Sequence, residues 1–186
     1  MFKLILALIL TVISSTAYSQ SISKRTVDSS GHIIVFTTID TIAANSAAYC
    51  AVDGLIYNAD SIYYYALDFY FTSPQSFLLS SKDKVNIKYS DGEVYEVTPF
   101  SEGNYYSKGQ DVYISIAVSE NALYKMLQYP VKSVSIVTEK FRHNIPVDSN
   151  YEKTFEKLAD FMLNLNVYDE NGIKWSELTK MKFPEN

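Results

Sequence analysis

Cysteine is all but missing from this chain, and so are the motifs of most well-known chemistries. A single cysteine, Cys50, cannot close an internal disulfide, so stability has to come from packing. Within Ala47-Ala48-Tyr49-Cys50-Ala51-Val52 it reads as a small buried hydrophobe. The two histidines, His32 and His143, share no ligand spacing with it, which leaves a transition-metal or thiol site unsupported. No Gly-x-Ser-x-Gly marks the nucleophile turn of an α/β serine hydrolase. No Gly-x-x-x-x-Gly-Lys or Gly-x-Gly-x-x-Gly offers phosphate a backbone cradle. Asp169-Glu170-Asn171-Gly172 is acidic, but it lacks the alternating acids and the later bidentate glutamate of a calcium loop, and it reads as a turn. The residues imply no cofactor and no metal, and they suit a non-catalytic protein better than an enzyme.

Basic charge is also in deficit. Lys and Arg number 16 against 21 Asp and Glu, a net charge of −5 that argues against a nucleic-acid partner. The apolar stretch Leu4–Ile13 falls well short of the roughly 20 residues a membrane-spanning helix needs. It follows Lys3 and precedes the small, polar segment Ser14–Ser19, and these are the three parts of a secretory signal. Ala17 and Ser19 place the expected cut between Ser19 and Gln20, with a cut after Ala17 as the alternative. No cysteine follows the apolar stretch to carry a lipid. Residues 1–19 are thus expected to direct export, and 20–186 to form a single exported domain without a transmembrane segment, periplasmic or secreted. The lack of any Asn-x-Ser/Thr sequon fits a bacterial exported protein at least as well as a eukaryotic one.

Aromatic residues are plentiful: 16 Tyr and 10 Phe in a chain that is 47% apolar. Most fall in stretches with the period of two that a half-buried strand requires. Ser61–Thr72 is the boldest, with Tyr63, Tyr65, Leu67, Phe69 and Phe71 on one face and Ile62, Tyr64, Ala66, Asp68 and Tyr70 on the other. Aromatics on both faces suit a central strand. Val112, Ile114, Ile116 and Val118 alternate with Asp111, Tyr113, Ser115 and Ala117. Ser119 then offers a helix cap, Ala122, Leu123, Met126 and Leu127 an apolar stripe, and Pro130 a stop. Two further strands follow, over Val134–Thr138 and Phe141–Val147. Their short return at Glu139-Lys140 makes them antiparallel, whereas the link through the helix at 119–128 is compatible with either sense. Hairpins are expected at Asp28–Gly31, between Ile22–Val27 and His32–Ile39, and at Asp91-Gly92, between Lys84–Tyr89 and Glu93–Thr98. The outward lysines of 84–89 read as blunting a sheet edge. Thr41–Asp60 reads as an irregular crossing with a turn at Asp53-Gly54, or as two short strands around that turn, and Phe100–Gln110 as a polar loop.

Tyr151, Phe155, Leu158, Met162 and Leu165 recur on one helical face over Ser149–Asn166. A short helix over Ser176–Met181 is the last element expected. The fold expected is α+β, mostly β: an antiparallel sheet or two-sheet sandwich of about eight strands. The C-terminal amphipathic helix packs on one face, and the shorter helix lies between strands.

One constellation points to recognition. Asp68 stands between Tyr64 and Tyr70 on a strand face, where phenol rings offer stacking area and a carboxylate accepts hydrogen bonds from a sugar or peptide. The plainer account is a tyrosine hydroxyl network at a sheet rim, or a helix covering that face. Three functions follow from these residues. The first is an exported, non-catalytic binding domain for a saccharide, a peptide or another exported protein. The second is a hydrolase that uses Asp68 with a second acid brought near by folding. The third is an assembly subunit pairing through a sheet edge.

Overall fold

The computed structural model describes residues 20–45, 48–59, 62–100 and 103–165. The expected export signal lies outside them, as do the Asp169–Gly172 turn and the helix expected at Ser176–Met181. The described residues form a mostly β, antiparallel α+β fold with two α-helices, one of them at the C-terminal end. They contain twelve strands rather than about eight.

The larger sheet runs in the order β1 (Ile22–Val27), β2 (Ile33–Thr37), β4 (Ala48–Ala59), β5 (Ile62–Thr72) and β10 (Asp111–Val118). A further strand, β3 (Asp40–Asn45), shares the edge of β4 with β2. The smaller sheet runs β12 (Arg142–Pro146), β11 (Val131–Val137), β7 (Lys84–Tyr89) and β8 (Val94–Val97). A two-stranded ladder of β6 (Phe77–Leu78) and β9 (Tyr105–Tyr106) accounts for part of the expected polar loop. The helices are α1 (Glu120–Gln128) and α2 (Thr154–Asn164).

The alternating strands form where the pattern places them. β5 is central, between β4 and β10, and its odd-numbered residues face the core. Both expected hairpins close, with Gly31 and Gly92 at positive φ where a β-carbon would be strained. Ser119 caps α1, its Oγ accepting the Ala122 N–H at 3.2 Å. Replacing it with alanine leaves a helix-end donor without its partner. The expected cost is about 1 kcal/mol, read as a fall of roughly 2–4 °C in melting temperature.

Four expectations change. Asp53-Gly54 is no turn: β4 runs straight through it, and the glycine serves another purpose. A β-carbon on Gly54 would lie 2.6 Å from Met162 Sδ and 3.0 Å from Leu158 Cδ1, so its absence lets α2 lie close on the sheet. α2 also starts at Thr154, because Asp148 caps a 3-10 turn over Ser149–Tyr151 first. β10 and β11 belong to different sheets, so α1 links two layers rather than two neighbouring strands. Finally, β7 lies between β11 and β8, so its lysines line an outer face and protect no edge.

One apolar cluster joins all of this. Phe69, Phe71, Ile114 and Ile116 of the larger sheet belong to it, with Val85, Ile87, Val134 and Ile136 of the smaller sheet and Phe155, Leu158 and Met162 of α2. Cys50 is fully buried in it, and burial pushes its thiol up to about 12, which keeps it unreactive. α2 therefore covers the odd-numbered face of β5, leaving the face that carries Tyr64, Asp68 and Tyr70 on the other side.

Candidate functional site

Strand register assembles the site. Asp53 of β4 lies directly across from Asp68 of β5, and Asp68 lies across from Ser115 of β10. One step along, Ala51, Tyr70 and Tyr113 form the next row. Directly opposed residues in an antiparallel pair have β-carbons roughly 4.5–5.5 Å apart, so the two carboxyl groups are immediate neighbours. They are also sealed, Asp53 at 4% exposure and Asp68 at 1%.

Such a pair is electrostatically costly. Burial pushes Asp53 up to about 7, and the charge of Asp68 adds to the effect, while the Tyr70 hydroxyl opposes it. Tyr70 donates weakly, at 3.4 and 3.5 Å from the two carboxylate oxygens. Burial likewise raises Asp68, against the hydroxyls of Ser115 and Tyr113. Asp68 Oδ1 has no hydrogen-bond partner among the described residues. Tyr70 and Tyr113 are themselves held neutral by burial and by the acids beside them, and their rings pack 5.3 Å apart at 52°.

A depression lies at each end of this cluster. The larger, about 430 Å³, forms because β10 ends at Val118, opposite Tyr65, where the chain turns into α1. Leu55, Ala66 and Ala117 floor it, Tyr57, Tyr64 and Phe100 wall it, and Ser119 and Glu120 are polar groups at its rim. Tyr57 is fixed from behind, its hydroxyl 2.6 Å from His32 Nδ1 and 3.1 Å from Asp28 Oδ2. Asp28 in turn accepts the Ser30 and His32 backbone N–H groups and is lowered, chiefly by that from His32. The smaller depression, about 250 Å³, is bounded by Tyr49, Tyr70, Asp111 and Tyr113. Tyr49, Tyr64, Tyr113 and Phe100 are all more than two-fifths exposed, an unusual run of ring surface on one face.

No family model, curated protein or solved structure matches this chain. Of the residues expected from sequence, Tyr64 is exposed in the larger depression, Tyr70 is half-buried beside the smaller one, and Asp68 lies sealed between the two. They share a face as expected but do not touch a single common cavity. Sequence reading missed Asp53, Tyr57, Phe100 and Tyr113. The alternation of β10 had placed Tyr113 on its wetter face, but only the β5–β10 register sets that face beside Asp68.

Among the described residues no cluster of three or more His, Cys, Asp or Glu side chains is arranged to hold a metal ion. His143 packs against Phe71 at 5.5 Å and burial lowers it, while His32 is engaged with Asp28 and Tyr57. No helix among the described residues is long and apolar enough to cross a membrane.

Proposed function

We propose that this chain is an exported, non-catalytic binding domain, periplasmic or secreted, whose ligand is a saccharide held on the tyrosine face of the larger sheet. The observation that carries this reading is the 430 Å³ depression, an apolar floor with ring walls and only a few polar groups at its rim. Ligand sites are mostly apolar with a small number of placed polar groups, and aromatic rings that expose a face match the C–H faces of a sugar. Tyr64 and Tyr70 are six residues apart along β5, so exposed rings stand roughly 20 Å apart at the two ends of this face, a spacing suited to an extended chain of sugar rings.

The hydrolase alternative needs two carboxylates that reach the substrate. Folding does bring a second acid to Asp68, but both acids are buried and line neither depression, which weighs against this reading. The assembly alternative needs an open sheet edge, and the edges at β10, β1, β8 and β12 are blunted. The outward carbonyls of β10 accept from Tyr106 Oη at Tyr113 (2.7 Å), from the Phe100 N–H at Ser115 (2.8 Å) and from Tyr95 Oη at Ala117 (3.3 Å). β1 carries exposed Lys24 and Arg25 and a bulge, β8 is four residues long, and β12 ends in Pro146. A peptide is a second reading, favoured by Ile62–Tyr64, which have no strand partner on the β10 side among the described residues. Three residues supply only roughly 10 Å of edge, too little to anchor a strand.

Screening on glycan and peptide arrays, followed by calorimetry on the strongest hit, tests this with Tyr64→Ala and Phe100→Ala. Both side chains are exposed, so the variants should melt with the wild type. Each should weaken a glycan hit at least about tenfold, the scale of losing one stacking partner. Unchanged affinity in both variants, or hits on peptides alone, would remove the saccharide reading.

A further inference from the structure

Neither sealed acid lines either depression, and a buried pair of like charges is costly in itself. Ion pairs among the described residues include Lys82–Glu139, Lys125 with Asp91 and Glu93, and Lys132–Glu152, none of which involves Asp53 or Asp68. The groups on this face of the sheet are mostly acids and phenols: Tyr49, Asp53 and Tyr57 on β4, Tyr64, Asp68 and Tyr70 on β5, and Asp111 and Tyr113 on β10. Glu120 rims the larger depression, and His32 is taken by Asp28 and Tyr57. Lys24 of β1 lies over the Phe36 ring, with β2 between it and β4. Asp40 sits across from Val52, on the other face, and is engaged by Gln20. Two carboxylates left charged in such a place would repel at close range with little to compensate them.

We propose that Asp53 and Asp68 hold one proton between them in the folded domain, and that losing it loosens the tyrosine face by separating β4 from β5 beneath Tyr70 and Tyr113. The proton leaves one negative charge instead of two on a pair in which Asp68 Oδ1 has no hydrogen-bond donor among the described residues to offset its charge. Tyr70, which donates to Asp53, and Tyr113, packed on Tyr70, are the side chains placed to respond. The raised position of Asp53, about 7, sets the range. Because the folded state holds this proton more tightly than the unfolded chain, its stabilising effect is complete below about pH 4 and is lost as pH rises through about 7. Other carboxylates that lose stability in acid act in the opposite direction, so the signature is a decline between about pH 5 and pH 8.

The free protein suffices for the test, so its outcome is separate from that of ligand binding. Carbon-13 labelling of aspartate should show a carboxyl of the pair titrating near neutrality in wild type. The melting temperature should fall by roughly 5 °C or more from about pH 5 to about pH 8, and hydrogen exchange in β4, β5 and β10 should quicken over that range beyond its intrinsic pH dependence. Asp53→Asn and Asp68→Asn each replace one charge by a neutral group of the same shape. Each should flatten the pH dependence and, at about pH 8, melt no lower than wild type. Both wild-type carboxyls titrating below about pH 5 would overturn the proposal even if neither variant folds. So would variants that fold and keep the wild-type pH slope.

Discussion

Leu158→Asp should cost this domain about 4 kcal/mol or more, whereas Glu156→Ala, two residues away on the same helix, should be nearly silent. Leu158 is 1% exposed, with its Cδ1 within 3.0 Å of where a Gly54 β-carbon would stand, and it belongs to the cluster that joins both sheets to α2. Truncating such a leucine forfeits roughly 2–5 kcal/mol through lost transfer energy and a residual cavity. A carboxylate placed there also loses its water without gaining a partner, adding several kcal/mol unless it takes up a proton. Glu156 is exposed in the first turn of α2, where its loss removes only a weak interaction with the helix end. By thermal melting the aspartate variant should fall by roughly 10 °C or fail to fold, and the alanine variant should stay within about 2 °C. Equal midpoints would mean that this helical face does not hold the sheets together.

How much of this was readable from the residues depends on the distance over which each element is decided. β5, β10 and the Asp91-Gly92 hairpin rest on period-two alternation and on a glycine that accepts positive φ, and both are local properties. The Ser119 cap is local too. The partition into two sheets is not local, because nothing in 119–130 tells the chain whether the strand after α1 returns to the first sheet or begins another. Gly54 shows the same limit from the other side. A glycine after an aspartate has the composition of a turn, and only the approach of Met162, more than a hundred residues later, reveals that it is there to leave room. The candidate site was legible as far as one strand could carry it. The alternation of β5 put Tyr64, Asp68 and Tyr70 on a common face. Pairing Asp68 with Asp53 and Ser115 required the register of two neighbours, and that same register showed Asp68 to be sealed rather than presented.

The contact at Gly54 yields the second large effect, and a double-mutant cycle can isolate it. Gly54→Val adds a β-branched side chain where Met162 Sδ and Leu158 Cδ1 already lie, so the helix must lift or the methionine must leave its place. Overpacking of this kind costs roughly 1–3 kcal/mol. Valine's preference for strands recovers only a part of that, since β4 is already fixed by pairing along both edges. Met162→Ala alone removes a side chain that is 2% exposed and should cost roughly 2–5 kcal/mol. Together the two changes should cost at least about 1 kcal/mol less than their sum, because the valine enters the space the methionine has left. Denaturant titration of all four proteins gives the coupling directly. Additivity to within about 0.5 kcal/mol would show that α2 sits elsewhere on the sheet, and that the straight path of β4 through Asp53-Gly54 owes nothing to the helix above it.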